Sequence, residues 1–423
     1  MLKKLKFRSV VSLVIGSQIG SGVFLLPASL AILGPISLFS WLISGSGAIL
    51  LALVFAKLSM RISKAGGPHV YVEKAFGRKA AFFTAWTYWL VSWVSSIAVI
   101  IAAVGYLAPL VGITDPWTLL LLKIAIFSSI TALNIKGAAL AGSFEFFLTL
   151  LKCIPLLIIP IACLFFLKME YFSPINPGNL HVLSTLNVAS LLTFWGFVGI
   201  ESATTAGGII DNPTKTIPRA VVMGTLIVAT IYFFNSFGIM GVIAPDVLAS
   251  SSAPYVDAAD KLFGRGGNIA IAIIAFTACI GTLNAWVLTS GQIAAQASKD
   301  GLFPPLFSKS NKAGSPYMSI LIAFLCTLIL LIVTSRASIL TQINTVIDVS
   351  VTAFIVIYLA CAVSLLKILI QENKKKLKHL IIPILSIIFC LWILAFNSLF
   401  NLLLCSLLVL IGIPIYIKQH KMI

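Results

Sequence analysis

The sequence is poor in charge: charged residues make up 10% of its 423 positions, whereas hydrophobic residues make up 60%. A soluble globular domain carries about 25% charged residues, so this chain lacks the polar surface that such a domain needs. Its mean hydropathy is +1.09, and the apolar residues come in long stretches. A helix of about 20 apolar residues spans the core of a bilayer. The stretches are too continuous for barrel strands, so we predict an all-α membrane protein embedded in a lipid bilayer.

Motifs for metal binding and catalysis are also missing. None of the seven cysteines forms a CxxC pair, and they lie in or beside apolar stretches, where cysteine is a small core residue. The four histidines are far apart in the sequence and come with no nucleophile–base motif. We therefore predict no enzyme, no metal site and no cofactor. His69, which follows the second apolar stretch, is expected to face water.

The formal net charge of +17 raises the alternative of a nucleic-acid-binding protein. We predict twelve spans, at about 9–33, 36–60, 82–107, 118–135, 146–167, 186–207, 218–243, 268–297, 316–335, 339–367, 380–397 and 400–417. With the N-terminus inside, about 23 of the 29 basic residues face the cytoplasm, which is the positive-inside rule. The charge therefore orients a multi-pass membrane protein with both termini cytoplasmic, and no nucleic-acid partner is expected.

Two of these spans concentrate helix-weakening residues near mid-membrane. The first carries Gly20-Ser21-Gly22, and the sixth carries Trp195-Gly196 and then Gly199. Interrupted segments at matching places in two halves indicate a transporter built from inverted repeats. We therefore expect one transmembrane domain over residues 1–423 with a five-plus-five repeat and broken helices 1 and 6. The first repeat lies at about 9–167, the second at about 186–367, and two extra helices at about 380–417.

The first broken span has two interpretations. An unwound Gly20-Ser21-Gly22 frees backbone N–H groups at the N-terminus of a half-helix, where the positive end of the helix dipole attracts a carboxylate. Alternatively, Gly16 and Gly20 form a GxxxG pattern that only lets helices pack closely. That alternative leaves Gly22 and the polar side chain of Gln18 without a role.

The sixth span places the carboxylate of Glu201 among apolar residues, in the segment Trp195–Ser202. An unpaired charge is costly inside a membrane, so an ionisable residue there indicates a function. The alternative is a structural glutamate whose hydrogen bonds fix the sixth span to a neighbouring helix. The residues alone leave both interpretations open.

These segments resemble the amino acid–polyamine–organocation transporter family, especially its bacterial arginine/agmatine and ornithine/putrescine exchangers. The resemblance extends, in order and spacing, over Gly66-Gly67-Pro68, Tyr71, Phe76-Gly77, Tyr88-Trp89, Asp211–Ala220, Trp286, Asp300-Gly301 and Pro304. It implies a secondary active transporter of the bacterial inner (plasma) membrane that works by alternating access, and the first hypothesis is exchange of a basic amino acid for its decarboxylated amine. The alternatives are a proton-coupled carrier of neutral amino acids and a channel, although a channel's repeated pore motif is missing. A homodimer is an open alternative.

The resemblance also implies a substrate site. Ser21 and Gly22 would hold the substrate carboxylate, and Gln18 lies where the family's backbone meets the α-amine. Backbone carbonyls of Trp195 and Val198 would complete the amine site.

The remaining implied roles concern the substrate side chain and the gate. Trp195 would close over the substrate, and Tyr88 would contribute to closure. Trp286 would lie along the side chain, where an indole face can hold a cation. The polar positions that would contact the side chain or its end group are Ser92, Ser96 and Ser350. The alternative for both tryptophans is packing, and serines in membrane helices also hold helices together.

Two carboxylates are candidates for proton coupling. Glu201 falls on the position that this family links to proton sensing. Asp348 is a departure, because the arginine exchanger has a neutral amide there, and it lies about 200° around the helix from Ser350. A buried ion pair with Lys123 or Lys152 is the alternative to a coupling role for Asp348.

Overall fold

The computed structural model describes residues 6–20, 22–62, 67–137, 152–179, 181–201, 210, 212–335, 339–374 and 376–420. In these ranges the chain forms helices joined by short connections. The helices are α1 (Phe7–Gln18), α2 (Gly22–Leu33), α3 (Phe39–Ser59), α4 (Pro68–Val111), α5 (Pro116–Lys136), α6 (Lys152–Cys163), α7 (Val182–Phe194), α8 (Pro213–Val242), α9 (Pro245–Ala249), α10 (Pro254–Lys299), α11 (Tyr317–Thr334), α12 (Ile339–Gln371), α13 (Leu377–Ala395), α14 (Leu399–Leu410) and α15 (Ile413–His420).

The length and composition of the helices confirm a multi-pass membrane protein. Within the described ranges, nine helical segments are long and apolar enough to cross a bilayer. The bent pair α1 and α2 makes a tenth if it counts as one span. The shorter apolar helices Lys152–Cys163 and Val182–Phe197 lie where the fifth and sixth spans are predicted. The total of twelve spans and the inverted repeat stay predictions.

Two of the helices are longer than the spans predicted for them. α4 has 44 residues and α10 has 46, but each contains one glycine with positive φ, Gly77 at 81° and Gly264 at 72°. A residue in that conformation interrupts the helical hydrogen bonds, and glycine adopts it without steric cost. Each element is therefore a short helix followed by a spanning helix. The sequence prediction, at about 82–107 and 268–297, missed both short helices because they lack a long apolar stretch.

The centre of the bundle is α4, whose residues from Ala81 to Ala108 are almost all buried. It packs against α10 and α12, while α8 packs against α1 and α3. The broken helices α1 and α2 lie between these two groups, because α1 contacts α8 and α2 contacts α10. This packing brings the junction of α1 and α2 to the middle of the protein.

The prediction that His69 faces water is wrong. His69, at the start of α4, is only 1% exposed, and its Nε2 lies 3.2 Å from Oδ2 of Asp300, directly after α10. Nearby, the Arg78 guanidinium donates to the carbonyl oxygen of Gly301 at 3.2 Å. The start of α4 therefore packs against the end of α10, a long-range contact that nothing in the local sequence indicates.

Candidate functional site

The end of α1 and the end of α7 meet. α1 ends at Gln18, and α7 continues as a 3-10 turn from Trp195 to Phe197. Ser17 Oγ donates to the carbonyl oxygen of Gly199 at 3.2 Å, which joins the end of α1 to the segment after α7. Gly199 has a φ of +103°, and a Cβ there would lie 2.9 Å from the Ser17 carbonyl oxygen. Only glycine fits this contact, since it has no Cβ and tolerates positive φ.

A small cavity of about 20 Å³ lies at this junction. Its lining residues share an uncharged character and are Ser17, Gln18, Gly20, Gly22, Trp195, Gly196, Val198, Thr282 and Trp286. The lining combines two indole rings with hydroxyl, amide and backbone groups. A cavity of this volume holds about one water molecule, so an amino acid fits only when the surrounding helices move apart.

The indole of Trp195 covers the first residue of α2. A Cβ built on Gly22 would lie 2.2 Å from Trp195 Cδ1, so the contact between ring and backbone leaves no room for a side chain. The first N–H groups of a helix have no partner within the helix and form the positive end of its dipole. The start of α2 therefore presents hydrogen-bond donors beside the cavity. Ser21, the predicted carboxylate contact before it, lies outside the described residues.

Five of the predicted substrate residues lie together here, three do not, and Ser21 lies outside the described residues. The cavity brings together Gln18, Gly22, Trp195, Val198 and Trp286. Ser92 and Ser96 are buried in α4, where their hydroxyls donate to the carbonyl oxygens of Trp89 at 2.6 Å and Ser92 at 3.4 Å. Ser350 is fully buried in α12. These three serines are not part of the described lining, so their contact with a substrate stays a prediction.

Glu201 is held between two tyrosines from different helices. Tyr88 of α4 donates to Oε1 at 2.5 Å, and Tyr358 of α12 donates to Oε2 at 2.6 Å. The glutamate is only 2% exposed. An ionised carboxylate accepts both bonds, whereas a protonated one also carries an O–H donor, which can turn to a tyrosine oxygen and change this pattern. These two hydrogen bonds agree with the structural interpretation of Glu201, because they tie it to two helices. The same contacts make the site sensitive to protonation.

Aromatic rings connect the cavity to this carboxylate. The ring centroid of Trp286 lies 5.7 Å from that of Phe354, which lies 5.9 Å from that of Tyr88. Phe354 also lies 5.9 Å from Tyr358, the second partner of Glu201. Sequence reasoning missed Phe354 and Tyr358. Their spacing of four residues puts them on one face of α12, which is the signal that was available.

A buried lysine stabilises the end of α1. Lys152 is 1% exposed, and its Nζ donates to the carbonyl oxygen of Gly16 at 2.8 Å. The last carbonyls of a helix lack partners within the helix and carry the negative end of the dipole, so an ammonium group there is favourable. From the sequence alone, Lys152 is a candidate only for an ion pair with Asp348.

The predicted ion pair of Asp348 is wrong, because neither Lys123 nor Lys152 forms a salt bridge with it among the described residues. Instead, Asp348 lies close to the side chain of Asn401 in α14. One turn further along α12, Thr352 Oγ1 accepts from Asn397 Nδ2 at 2.5 Å. Asp348 and Thr352 of α12 therefore face the last helices. A coupling role for Asp348 stays a prediction.

Replacing Lys152 by methionine is expected to destabilise the protein by about 1–3 kcal/mol, because the buried Gly16 carbonyl loses its donor. The measurement is the free energy of unfolding in detergent. Lys123→Met is the matched control, since Lys123 is 5% exposed and makes no hydrogen bond among the described residues. Equal destabilisation by both variants would contradict a specific role for the Gly16 contact.

A bundle of membrane-crossing helices with an uncharged cavity at the ends of α1 and α7 is the architecture of a multi-pass membrane protein. The sequence profile of the amino acid permease family matches residues 5–418, and the chain belongs to this family. In the part of the chain that the structure describes, no three His, Cys, Asp or Glu side chains come together as a metal site.

Similar proteins are transporters of amino acids and polyamines. The putrescine transporter PotE of Haemophilus influenzae is 31% identical over 365 residues, which cover 86% of this chain and 84% of that protein. A putative arginine/ornithine antiporter of Bacillus subtilis is 30% identical over 411 residues, covering 89% and 87%. The cadaverine/lysine antiporter of Escherichia coli is 30% identical over 331 residues, covering 76% and 72%. All three are named as transport proteins, none as an enzyme.

Proposed function

We propose that this protein is a secondary active exchanger of the bacterial inner membrane, which swaps a basic amino acid for its decarboxylated amine. The observation that carries the proposal is the uncharged cavity between the start of α2 and the indole of Trp286. The three relatives support it, because each is named as a transporter of a basic amino acid or a diamine.

The cavity offers a separate partner for each part of a basic amino acid. The N–H groups at Ser21 and Gly22 would bind the carboxylate, since the start of a helix attracts anions. Backbone carbonyls at Trp195 and Val198 would accept from the α-ammonium group. The face of Trp286 would hold the cationic end of the side chain by a cation–π contact. The cavity needs no acidic residue for this cargo.

Transport would proceed by alternating access, with the helices of the two repeats rocking around the cavity. The repeats would cover about 9–167 and 186–367. The glycine breaks at Gly77 and Gly264 support this division, because each precedes the third spanning helix of its proposed repeat. Internal structural symmetry of this kind is a feature of secondary transporters.

The gate would consist of Trp195 on the cavity and Tyr88 behind it. Tyr88 is bonded to Glu201, and Glu201 is also bonded to Tyr358, so opening between α4 and α12 has to break at least one of these bonds. Protonation of Glu201 changes which bonds can form. Glu201 would therefore couple the gate to pH, and Asp348 is the second candidate for this role.

Replacing Trp286 by leucine is expected to weaken binding of cationic substrates about thirtyfold and of neutral ones far less. A desolvated cation–π contact contributes about 2 kcal/mol, which equals a factor of about thirty in affinity. The measurement is competition of lysine, arginine and leucine with a radiolabelled substrate. Equal losses for all three would show that Trp286 acts only as a wall of the cavity.

The experiment that tests the function is a competition panel in reconstituted liposomes. Unlabelled basic amino acids, their decarboxylated amines and neutral amino acids compete with a radiolabelled basic amino acid that is loaded on one side. We expect the first two groups to compete and the neutral amino acids to compete weakly. Strong competition by neutral amino acids alone would favour the alternative, a proton-coupled carrier of neutral amino acids.

A further inference from the structure

Basic side chains from three parts of the chain come together at one end of the helix bundle. We call them the basic cluster, which consists of Lys57 and Arg61 at the end of α3, Lys374 after α12, and Lys376 and Lys378 at the start of α13. Four of these charges lie close enough to act on the imidazole of His379, and the fifth, Arg61, acts on Lys57. The five residues therefore form one group, although more than 300 positions separate α3 from α13 in the sequence.

The basic cluster has an excess of positive charge. Within the described residues, its ion pairs involve one carboxylate, that of Glu372, which lies 3.1 Å from Arg61 and 2.8 Å from Lys374. The other three members, Lys57, Lys376 and Lys378, form no salt bridge in this part of the chain. Like charges at short range repel each other, so an anion bound among them would stabilise this arrangement.

The start of α13 adds hydrogen-bond donors to the basic cluster. This helix has 19 residues, and its N-cap residue, Lys376, provides no side-chain cap. Lysine has no acceptor atom, so it cannot bond the first N–H groups of the helix. A helix N-terminus favours phosphate, because these N–H groups and the helix dipole both attract an anion. The basic cluster and the helix start together have the chemistry of a phosphate site.

An exposed apolar face of α13 begins at the same place. Leu377 is 70% exposed, and Ile381, Leu385 and Ile388 are exposed as well. Their spacing puts all four side chains on one side of a helix that is long and apolar enough to cross a bilayer. An acyl chain can pack along this face while a phosphate group contacts the basic cluster. A ligand with both parts is a lipid, whereas a free phosphate would use the basic cluster alone.

We propose that the basic cluster binds the phosphodiester headgroup of an anionic lipid whose acyl chains lie along α13. The positive-inside rule accounts for basic residues on one side of the membrane, but it does not require three elements to bring them together. Clusters of about four to eight Lys and Arg residues beside a spanning helix are typical of sites for anionic lipids.

The position of this site gives the lipid a structural role. α3 packs against α8, whereas α12 packs against α4, so the basic cluster spans the two groups of helices that make up the bundle. A bound headgroup would neutralise charges from both groups and hold their ends together. The site lies apart from the cavity, and the proposal does not depend on which cargo is exchanged.

The test titrates the purified full-length protein in detergent with dioctanoyl phosphatidylglycerol and follows the melting temperature. Dioctanoyl phosphatidylcholine, which has the same chains and no net charge, and inorganic phosphate, which has no chains, are the comparison probes. We expect phosphatidylglycerol to raise the melting temperature until the site is saturated, and the other two to leave it nearly unchanged. An equal rise with phosphatidylcholine or with inorganic phosphate would overturn the proposal.

A triple variant, Lys57→Gln with Lys376→Gln and Lys378→Gln, removes three charges and leaves the ion pairs of Glu372 in place. A basic residue near a membrane surface contributes about 1 kcal/mol, so the affinity for phosphatidylglycerol should fall roughly a hundredfold. The matched control replaces three exposed lysines on the same predicted side of the membrane by glutamine and should bind like the wild type; they are Lys136, Lys309 and Lys312. Equal losses in both triple variants would overturn the proposal, because they would show an unspecific attraction.

Glu372→Gln is expected to act in the opposite direction. It removes the carboxylate that competes with a headgroup for Arg61 and Lys374. Phosphatidylglycerol should therefore bind about fivefold more tightly to this variant. Weaker binding would overturn the proposal even if the triple variant does not fold.

Discussion

Replacing Gly22 by alanine is expected to abolish substrate binding and exchange while the protein still inserts in the membrane. The added Cβ would lie 2.2 Å from Trp195 Cδ1 and 2.7 Å from its Nε1, so the indole cannot keep its place over α2. The methyl group would also occupy the space through which a carboxylate approaches the helix N-terminus. Binding is measured by calorimetry on the purified protein, and insertion by its yield and elution in detergent.

Gly20→Ala is the matched control for this variant. A Cβ on Gly20 would meet nothing closer than Thr282 Cγ2 at 3.4 Å, which is a tolerable contact. We expect this variant to keep most of its affinity, although Gly20 lies two residues away and also lines the cavity. Near-normal binding by Gly22→Ala would show that the break in the first span only packs helices, as the GxxxG alternative holds.

Glu201→Gln is expected to remove the pH dependence of exchange and to preserve substrate binding. The ionised carboxylate accepts from Tyr88 and Tyr358 together, whereas an amide accepts at one atom and donates at the other. Glutamine therefore copies the protonated form at every pH. The measurement is the rate of exchange across the pH range in which the wild type responds.

Tyr88→Phe and Tyr358→Phe separate a proton sensor from a brace. Each removes one donor to Glu201, so each is expected to shift the pH profile, and the shift disappears when Glu201→Gln is added. A Glu201→Gln variant with the wild-type profile would place the sensor elsewhere, and Asp348 would be tested next. A variant that does not fold would show that Glu201 is a structural brace.

The membrane class and the general position of the site can be predicted from the sequence because their signals are local. Long apolar stretches indicate the spans. The glycines Gly20, Gly22 and Gly199 indicate where helices end, and the structure joins these two places by the hydrogen bond from Ser17 to Gly199. The family resemblance implies that Gln18, Trp195 and Trp286 belong to the substrate site, and all three line one cavity.

What the sequence could not provide are contacts between residues far apart in the chain. His69 meets Asp300, Lys152 meets Gly16, and Tyr358 completes the site of Glu201. Each pair depends on how helices pack, and apolar periodicity carries no information on which helix faces which. The short helices before Gly77 and Gly264 were missed for a related reason, since they are too polar to register as spans.

The most direct test of exchange compares loaded with empty liposomes. Purified protein is reconstituted, and uptake of a radiolabelled basic amino acid is followed with the decarboxylated amine inside, or with nothing inside and an inward proton gradient. An exchanger takes up label only into loaded liposomes, and the trapped amine leaves as the label enters. Concentration of the label in empty liposomes under the proton gradient would contradict exchange and identify a symporter.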